Sequence, residues 1–134
     1  MNLPLSISGT VRKNLGRGTD LGYPTLNIPY DGEAVDGVYF GRVTVPGKNY
    51  QNLPSAIFVG SAVTFGETTR WVEAFLLDFS GDLSGLPIIV TLEKYSRENR
   101  KFDSAEALVA QMKRDEELAR AYFSLPDKNS LREK

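Results

Sequence analysis

Three polar side chains stand in settings that suit phosphate and metal chemistry. Thr25 and Asn27, in Pro24-Thr25-Leu26-Asn27, are two residues apart. If that segment is extended, both point to one face, because side chains alternate along a strand. A hydroxyl and an amide oxygen side by side are hard donors, suited to a magnesium ion that keeps most of its waters. Two polar residues on a wetted strand face would carry the same pattern. Glu73 is the only charge in Trp71-Val72-Glu73-Ala74-Phe75-Leu76-Leu77. Trp71, Glu73, Phe75 and Leu77 share one strand face and Val72, Ala74 and Leu76 the other, so both faces are largely apolar. A carboxylate there is either an exposed edge residue or an acid placed for a ligand.

Upstream, Gly16, Gly18 and Gly22 are interleaved with Arg17, Thr19 and Asp20. Glycines let backbone N–H groups converge on an anion without obstruction by Cβ. Arg17 could add a charge-assisted contact to a phosphate. The segment is neither a Walker A loop nor a dinucleotide fingerprint, since the required spacings are missing. On spacing alone, a surface loop between two strands is the commoner meaning.

Composition narrows the chemistry further. The chain has 134 residues with no histidine and no cysteine. Imidazole bases, the Ser-His-Asp triad, thiolate zinc sites and cysteine nucleophiles are therefore excluded. A carboxylate is the natural proton acceptor, and a metal would need oxygen ligands, which favours magnesium, calcium or manganese. Lys+Arg 16 against Asp+Glu 17 gives a net charge of -1, with no excess to hold nucleic acid non-specifically or coat an anionic membrane. No basic, apolar leader and no run of roughly 20 apolar residues is visible. The expectation is a cytoplasmic protein that binds neither nucleic acid nor membrane.

The elements that must carry these groups are mostly strands. Leu5–Val11 alternates, Gly37–Val45 is rich in β-branched and aromatic residues, and Pro46–Asn49 is a turn. Ser55–Gly60, Arg70–Phe79 and Leu86–Tyr95 follow as further strand candidates. Several short strands separated by turns predict a barrel of about six strands, since closure removes exposed edges. After Phe102 the period changes. Asp103 with Glu106 forms a capping-box-like start, with Ser104 an alternative cap. Ala105, Leu108, Val109, Met112, Ala119 and Tyr122 fall on one helical stripe, and Lys113–Glu117 lies mostly on the wet side. Residues 1–125 read as one barrel-plus-helix unit, and 126–134 as a polar tail.

Taken in order, these residues resemble a known family. Gly9-x-Val11, Gly16-Arg17-Gly18-x-x-Leu21-Gly22-x-Pro24-Thr25-x-Asn27 look like the glycine-rich arch and Pro-Thr-x-Asn motif of the riboflavin kinases. The likeness continues through Gly37-Val38-Tyr39, Gly60, Thr64-Phe65-Gly66, Glu73, Leu77-Asp78-Phe79, Gly81-Asp82-Leu83-x-Gly85, Arg97 and Lys101-Phe102-Asp103-Ser104, then Gln111 and Asp115. The sequence departs from the usual pattern at Asn14, Thr19, Phe58, Val63, Ser84, Ser96 and Asn99, while Thr25, Asn27 and Glu73 are intact.

The resemblance implies a mainly β fold: a six-stranded antiparallel Greek-key barrel with a C-terminal α-helix packed against it. It implies transfer of the ATP γ-phosphate to the ribityl 5′-hydroxyl of riboflavin, giving FMN and ADP. The partners would be riboflavin or FMN and ATP or ADP, in a monomer. Magnesium, with manganese or zinc as substitutes, would be held by Thr25 and Asn27. Gly16, Arg17, Gly18, Leu21, Gly22 and Pro24 would bind the nucleotide together with Thr25 and Asn27. Glu73 would be the catalytic base, and Arg97 and Phe102 would contact the flavin. The alternative is a non-catalytic flavin- or nucleotide-binding regulatory module of the same fold. With no histidine, the adenylylation chemistry found in bifunctional members is not expected here.

Overall fold

In the computed structural model, residues 2–12, 25–61, 70–79 and 81–126 are described. The chain divides into two compact units, residues 1–99 and 100–134.

The first unit is a single six-stranded sheet. Its strands are β1 (Leu5–Thr10), β2 (Leu26–Pro29), β3 (Gly37–Val45), β4 (Tyr50–Ser61), β5 (Arg70–Leu76) and β6 (Pro87–Arg97). They run in the order β1-β6-β3-β4-β5-β2, and every pairing is antiparallel. β3, β4 and β5 follow one another as neighbours, and β6 returns to lie beside β3. That return is the Greek-key connection. The two outer strands then meet. Arg12, just past β1, forms an antiparallel bridge with Asn27 of β2, and its N–H donates to the Asn27 carbonyl oxygen at 2.8 Å. This bridge turns the sheet into a nearly closed barrel and gives its edges a partner.

Alternation explains which side chains fill the interior. Ile7 and Val11, Ile28, Tyr39, Val43 and Val45, Ile57 and Val59, Val72 and Ala74, and Ile88, Val90 and Leu92 all belong to one buried cluster. Gly9 takes the inward position between Ile7 and Val11. A Cβ there would sit 3.0 Å from Ile28 Cβ, so glycine is what lets β1 and β2 approach across the interior. Tyr39 is fully buried, packs edge-on against Tyr95 at 5.3 Å between ring centres, and donates its hydroxyl to the Val35 carbonyl. Edge-to-face aromatic packing of this kind suits a barrel interior.

The strand bounds follow the sequence reading closely, although β2 is an added short strand and β6 runs on to Arg97 rather than ending at Tyr95, and two further bounds shift. β4 begins at Tyr50 rather than near Ser55, because residues 50–53 find partners on β3 that propensity cannot foresee. β5 ends at Leu76, and Leu77 N instead reaches the Pro54 carbonyl at 3.0 Å.

In the second unit one helix, α1, spans Ala105–Tyr122. Its N-cap is Ser104, whose hydroxyl accepts the Ala107 N–H at 3.1 Å, so the second of the two candidate caps is used. The expected stripe is corrected. Ala105 and Tyr122 are exposed, whereas Asp115 and Glu116, assigned to the wet side, are buried with Ala119 and Arg120. Their charges are tolerated because they are paired: Arg120 Nε lies 3.0 Å from Glu116 Oε2, and Gln111 donates to Asp115 at 3.0 Å. No helix among the described residues is long and apolar enough to cross a membrane.

Candidate functional site

The bridge that closes the barrel also assembles the site. β2 pairs with β5 so that Asn27 stands directly opposite Glu73. Directly opposed residues of an antiparallel pair project to the same face, with Cβ atoms about 4.5–5.5 Å apart. Ile28 and Val72 fill the interior, so Asn27 and Glu73 occupy the outer face. Thr25, two residues before Asn27, shares that face, and its hydroxyl donates to Asn27 Oδ1 at 3.2 Å. The Asn27 side chain is only 2 % exposed, and its backbone is held by Arg12 on one side and β5 on the other.

Pairing continues this row around the barrel. Glu73 faces Phe58 on β4, Phe58 faces Val38 on β3, and Val38 faces Arg97 at the end of β6. Read from its seam, the row is Arg12, Asn27, Glu73, Phe58, Val38, Arg97. Glu73 thus has an amide on one side and a phenyl ring on the other. Trp71 and Phe75 lie two residues away on its own strand. Burial among such neighbours pushes its carboxyl pKa up from the ordinary value.

Two oxygens 3.2 Å apart fit a small hard cation. An octahedral ion with bonds of about 2.0–2.1 Å has ligand edges of about 2.9 Å. Both donors are neutral, so they suit an ion whose charge is balanced chiefly by a bound phosphate. Among the described residues no cluster of three or more Asp or Glu could hold a metal. The spacing of the Thr25 and Asn27 oxygens is the feature that would accommodate such an ion.

Beside them lies a cleft of about 290 Å³, lined by apolar Leu26, Leu76, Phe79 and Leu83 and by polar Arg12 and Thr25. Asp82 at its wall is engaged in its own turn, accepting the Ser84 N–H at 2.9 Å. That is the structural role its place in a turn suggests.

The other expected site residues are distributed as follows. Gly16, Arg17, Gly18, Leu21, Gly22 and Pro24 lie outside the described residues. Arg97 occupies the far end of the Asn27–Glu73 row and donates to the Glu98 carbonyl at 2.8 Å. Phe102 is half-buried and belongs to the second unit. The segment after Arg97 is tied to β4 by Asn99, whose amide donates to the Val59 carbonyl at 3.1 Å. Gly60 makes room for it, since a Cβ there would come within 2.7 Å of Asn99 Nδ2. Two members of the site escaped sequence reasoning. Arg12 lay just beyond the strand candidate Leu5–Val11 and drew no attention, and Phe58 stood only as a substitution in a motif. Each joins the row only through pairings with residues 15 positions away or with Glu73.

The fold is a small, nearly closed antiparallel barrel that carries a hydroxyl–amide pair opposite a half-buried carboxylate on its outer face. Residues 1–123 match the flavokinase family, described as riboflavin kinase, and the chain belongs to that family. It is 37% identical over 124 residues to the bifunctional riboflavin kinase/FMN adenylyltransferase of Escherichia coli strain K12, covering 91% of this chain and 39% of that protein. It is 34% identical over 149 residues to the riboflavin kinase of Aspergillus terreus, covering 87% of this chain and 73% of that one. The crystal structure of the Trypanosoma brucei riboflavin kinase superimposes with a TM-score of 0.60 at 27% identity, covering 92% of this chain and 82% of that one. The chain spans about two-fifths of the length of the bifunctional bacterial relative.

Proposed function

We propose that this chain transfers the γ-phosphoryl group of ATP to the 5′-hydroxyl of riboflavin, giving FMN and ADP. The observation that carries the reading is the direct opposition of Asn27 and Glu73 across β2 and β5, with Thr25 hydrogen-bonded to Asn27. One residue can hold charge-neutralising equipment for a triphosphate while the other takes a proton from an alcohol a few ångströms away.

In this reading the ribityl O5′ forms a bond to Pγ, the bond from Pγ to the bridging β–γ oxygen breaks, and ADP leaves. The hydroxyl proton passes to the Glu73 carboxylate. Burial raises the pKa of the Glu73 carboxylate, which makes it a stronger base than a solvated one. When bound, magnesium would supply charge neutralisation and in-line orientation, and Thr25 and Asn27 would hold it. The cleft beside Thr25 would receive the nucleotide, its apolar walls packing a planar base. Gly16, Arg17, Gly18, Leu21, Gly22 and Pro24 would complete the phosphate cover. Arg97 would approach the flavin from the far end of the row, with Phe102 as its second contact.

The same reading makes the protein a monomer of the cytoplasm, without nucleic acid as partner. Its near-neutral charge supports the last point. Residues 1–125 would form the catalytic unit and 126–134 a polar tail.

Incubation with riboflavin, ATP and magnesium should yield FMN, with ATP and CTP compared and manganese and zinc tested in place of magnesium. Tight riboflavin binding without magnesium-dependent turnover of any nucleoside triphosphate would select the non-catalytic binding module instead.

A further inference from the structure

We infer that Arg12 is a further binding residue for the anionic co-substrate, its guanidinium gripping the polyphosphate of a nucleoside triphosphate at the seam of the barrel. The inference rests on the phosphotransfer reading above and adds a residue that neither the arch nor the Pro-Thr-x-Asn motif contains.

Ile7 and Val11 are buried in the interior, so Arg12 projects to the outer face. Its bridge to Asn27 places the two side chains directly opposite one another, as Asn27 is opposite Glu73. Arg12 and Thr25 also line the same cleft. An exposed arginine is therefore rooted opposite Asn27 and lines the cleft that Thr25 shares, where Thr25 and Asn27 would hold a metal ion.

That neighbourhood is unfavourable unless something negative bridges it. A guanidinium and a dication a few ångströms apart repel each other, and a multiply charged phosphate chain relieves both. Arg42 and Arg70 are already satisfied by carboxylates, Glu93 and Asp36 respectively, each at 2.7 Å. Among the described residues, no carboxylate lies within ion-pair distance of Arg12. Its planar fork of donors matches phosphate oxygens, and the rigid bridge fixes the root of the side chain. Because that bridge uses only backbone atoms, the side chain can be changed without opening the barrel.

The test is a titration of the whole chain with a non-hydrolysable fluorescent ATP analogue plus magnesium, read as a dissociation constant at several salt concentrations. Riboflavin binding is followed in parallel by quenching of flavin fluorescence. Arg12→Ala should weaken analogue binding about tenfold, as expected for losing an exposed charge-assisted contact. It should also flatten the salt dependence and leave riboflavin affinity and melting temperature unchanged. Arg12→Lys should recover part of the loss, and Arg12→Glu should exceed it. Unchanged analogue affinity in Arg12→Ala, or equal weakening of riboflavin and analogue, would overturn the assignment. The titration needs no turnover, so the two readings separate. Arg12-dependent binding without FMN formation would sink phosphotransfer and keep Arg12. FMN formation with Arg12-independent binding would sink Arg12 alone.

Discussion

Asn27 and Glu73 face each other across the β2–β5 pair, on the outer surface of a barrel whose interior they do not enter. The strand that carries Asn27 is only four residues long, yet it is pinned on both edges, by β5 and by the Arg12 bridge. A short strand held twice keeps its side chains in a fixed register, which is what positioning two groups for one phosphate requires.

Replacing Glu73 with Gln should lower kcat by about 10²–10⁴-fold, the usual contribution of a general base. Riboflavin and nucleotide affinities should change little, since the amide keeps the shape of the acid. Steady-state assays with equilibrium binding controls check this. Unaltered kcat would remove Glu73 from the proton transfer.

The raised pKa of Glu73 makes a second, opposite-signed prediction for stability. Burial disfavours the charged form, so the folded state holds this proton more tightly than the unfolded state. Below the ordinary glutamate pKa both states are protonated and there is no cost. As pH rises from there, the unfolded state releases its proton first, and folding stability falls until the native group also ionises. Glu73→Gln cannot ionise, so it should melt at the same temperature as wild type near about pH 4 and at a higher one near about pH 8. Melting curves across that range decide it. The acid limb of the wild-type kcat/KM profile should correspondingly lie above that of a solvated glutamate.

Thr25→Val and Asn27→Leu should each raise the magnesium concentration needed for half-maximal activity by roughly 10–100-fold or more, since even residues that only support a metal ligand contribute that much. The hydrogen bond between the two couples them. The double variant should therefore lose less than the product of the single losses. A magnesium requirement unchanged in both would place the ion elsewhere.

Arg70 locks the loop that leaves β2. Its guanidinium bonds Asp36 Oδ1, at 2.7 Å from Nη2, and the Gly32 carbonyl, at 2.7 Å from Nη1, and lies 5.2 Å from the centre of the Tyr30 ring. Arg70→Ala should cost about 1–2 kcal/mol in urea unfolding, the scale of losing charge-assisted hydrogen bonds at a partly exposed site where water screens the ion pair. Arg70→Lys should rescue little, because an ammonium cannot span carboxylate and carbonyls at once.

Much of this molecule is written in local pattern. Five extended segments and one helix follow from alternation, turn residues and a change of period near Phe102, and Thr25 and Asn27 share a face once their own segment is extended. The absence of histidine and cysteine left carboxylate and oxygen-donor chemistry as the natural choice before any fold was known. Local pattern was weaker where partners mattered. Asp115 and Glu116 read as wetted charges, yet they are buried because Gln111 and Arg120 satisfy them. The second half of the site was illegible for the same reason. Nothing in the run from Trp71 to Leu77 says which strand will lie beside it, and nothing in Val11-Arg12 says that the arginine will meet Asn27. Strand propensity and alternation are properties of neighbours in sequence. Register between strands is set by how the whole barrel packs, and only that tertiary pairing put Glu73 beside Asn27, across β2 and β5, and Arg12 beside Asn27, at the closing bridge.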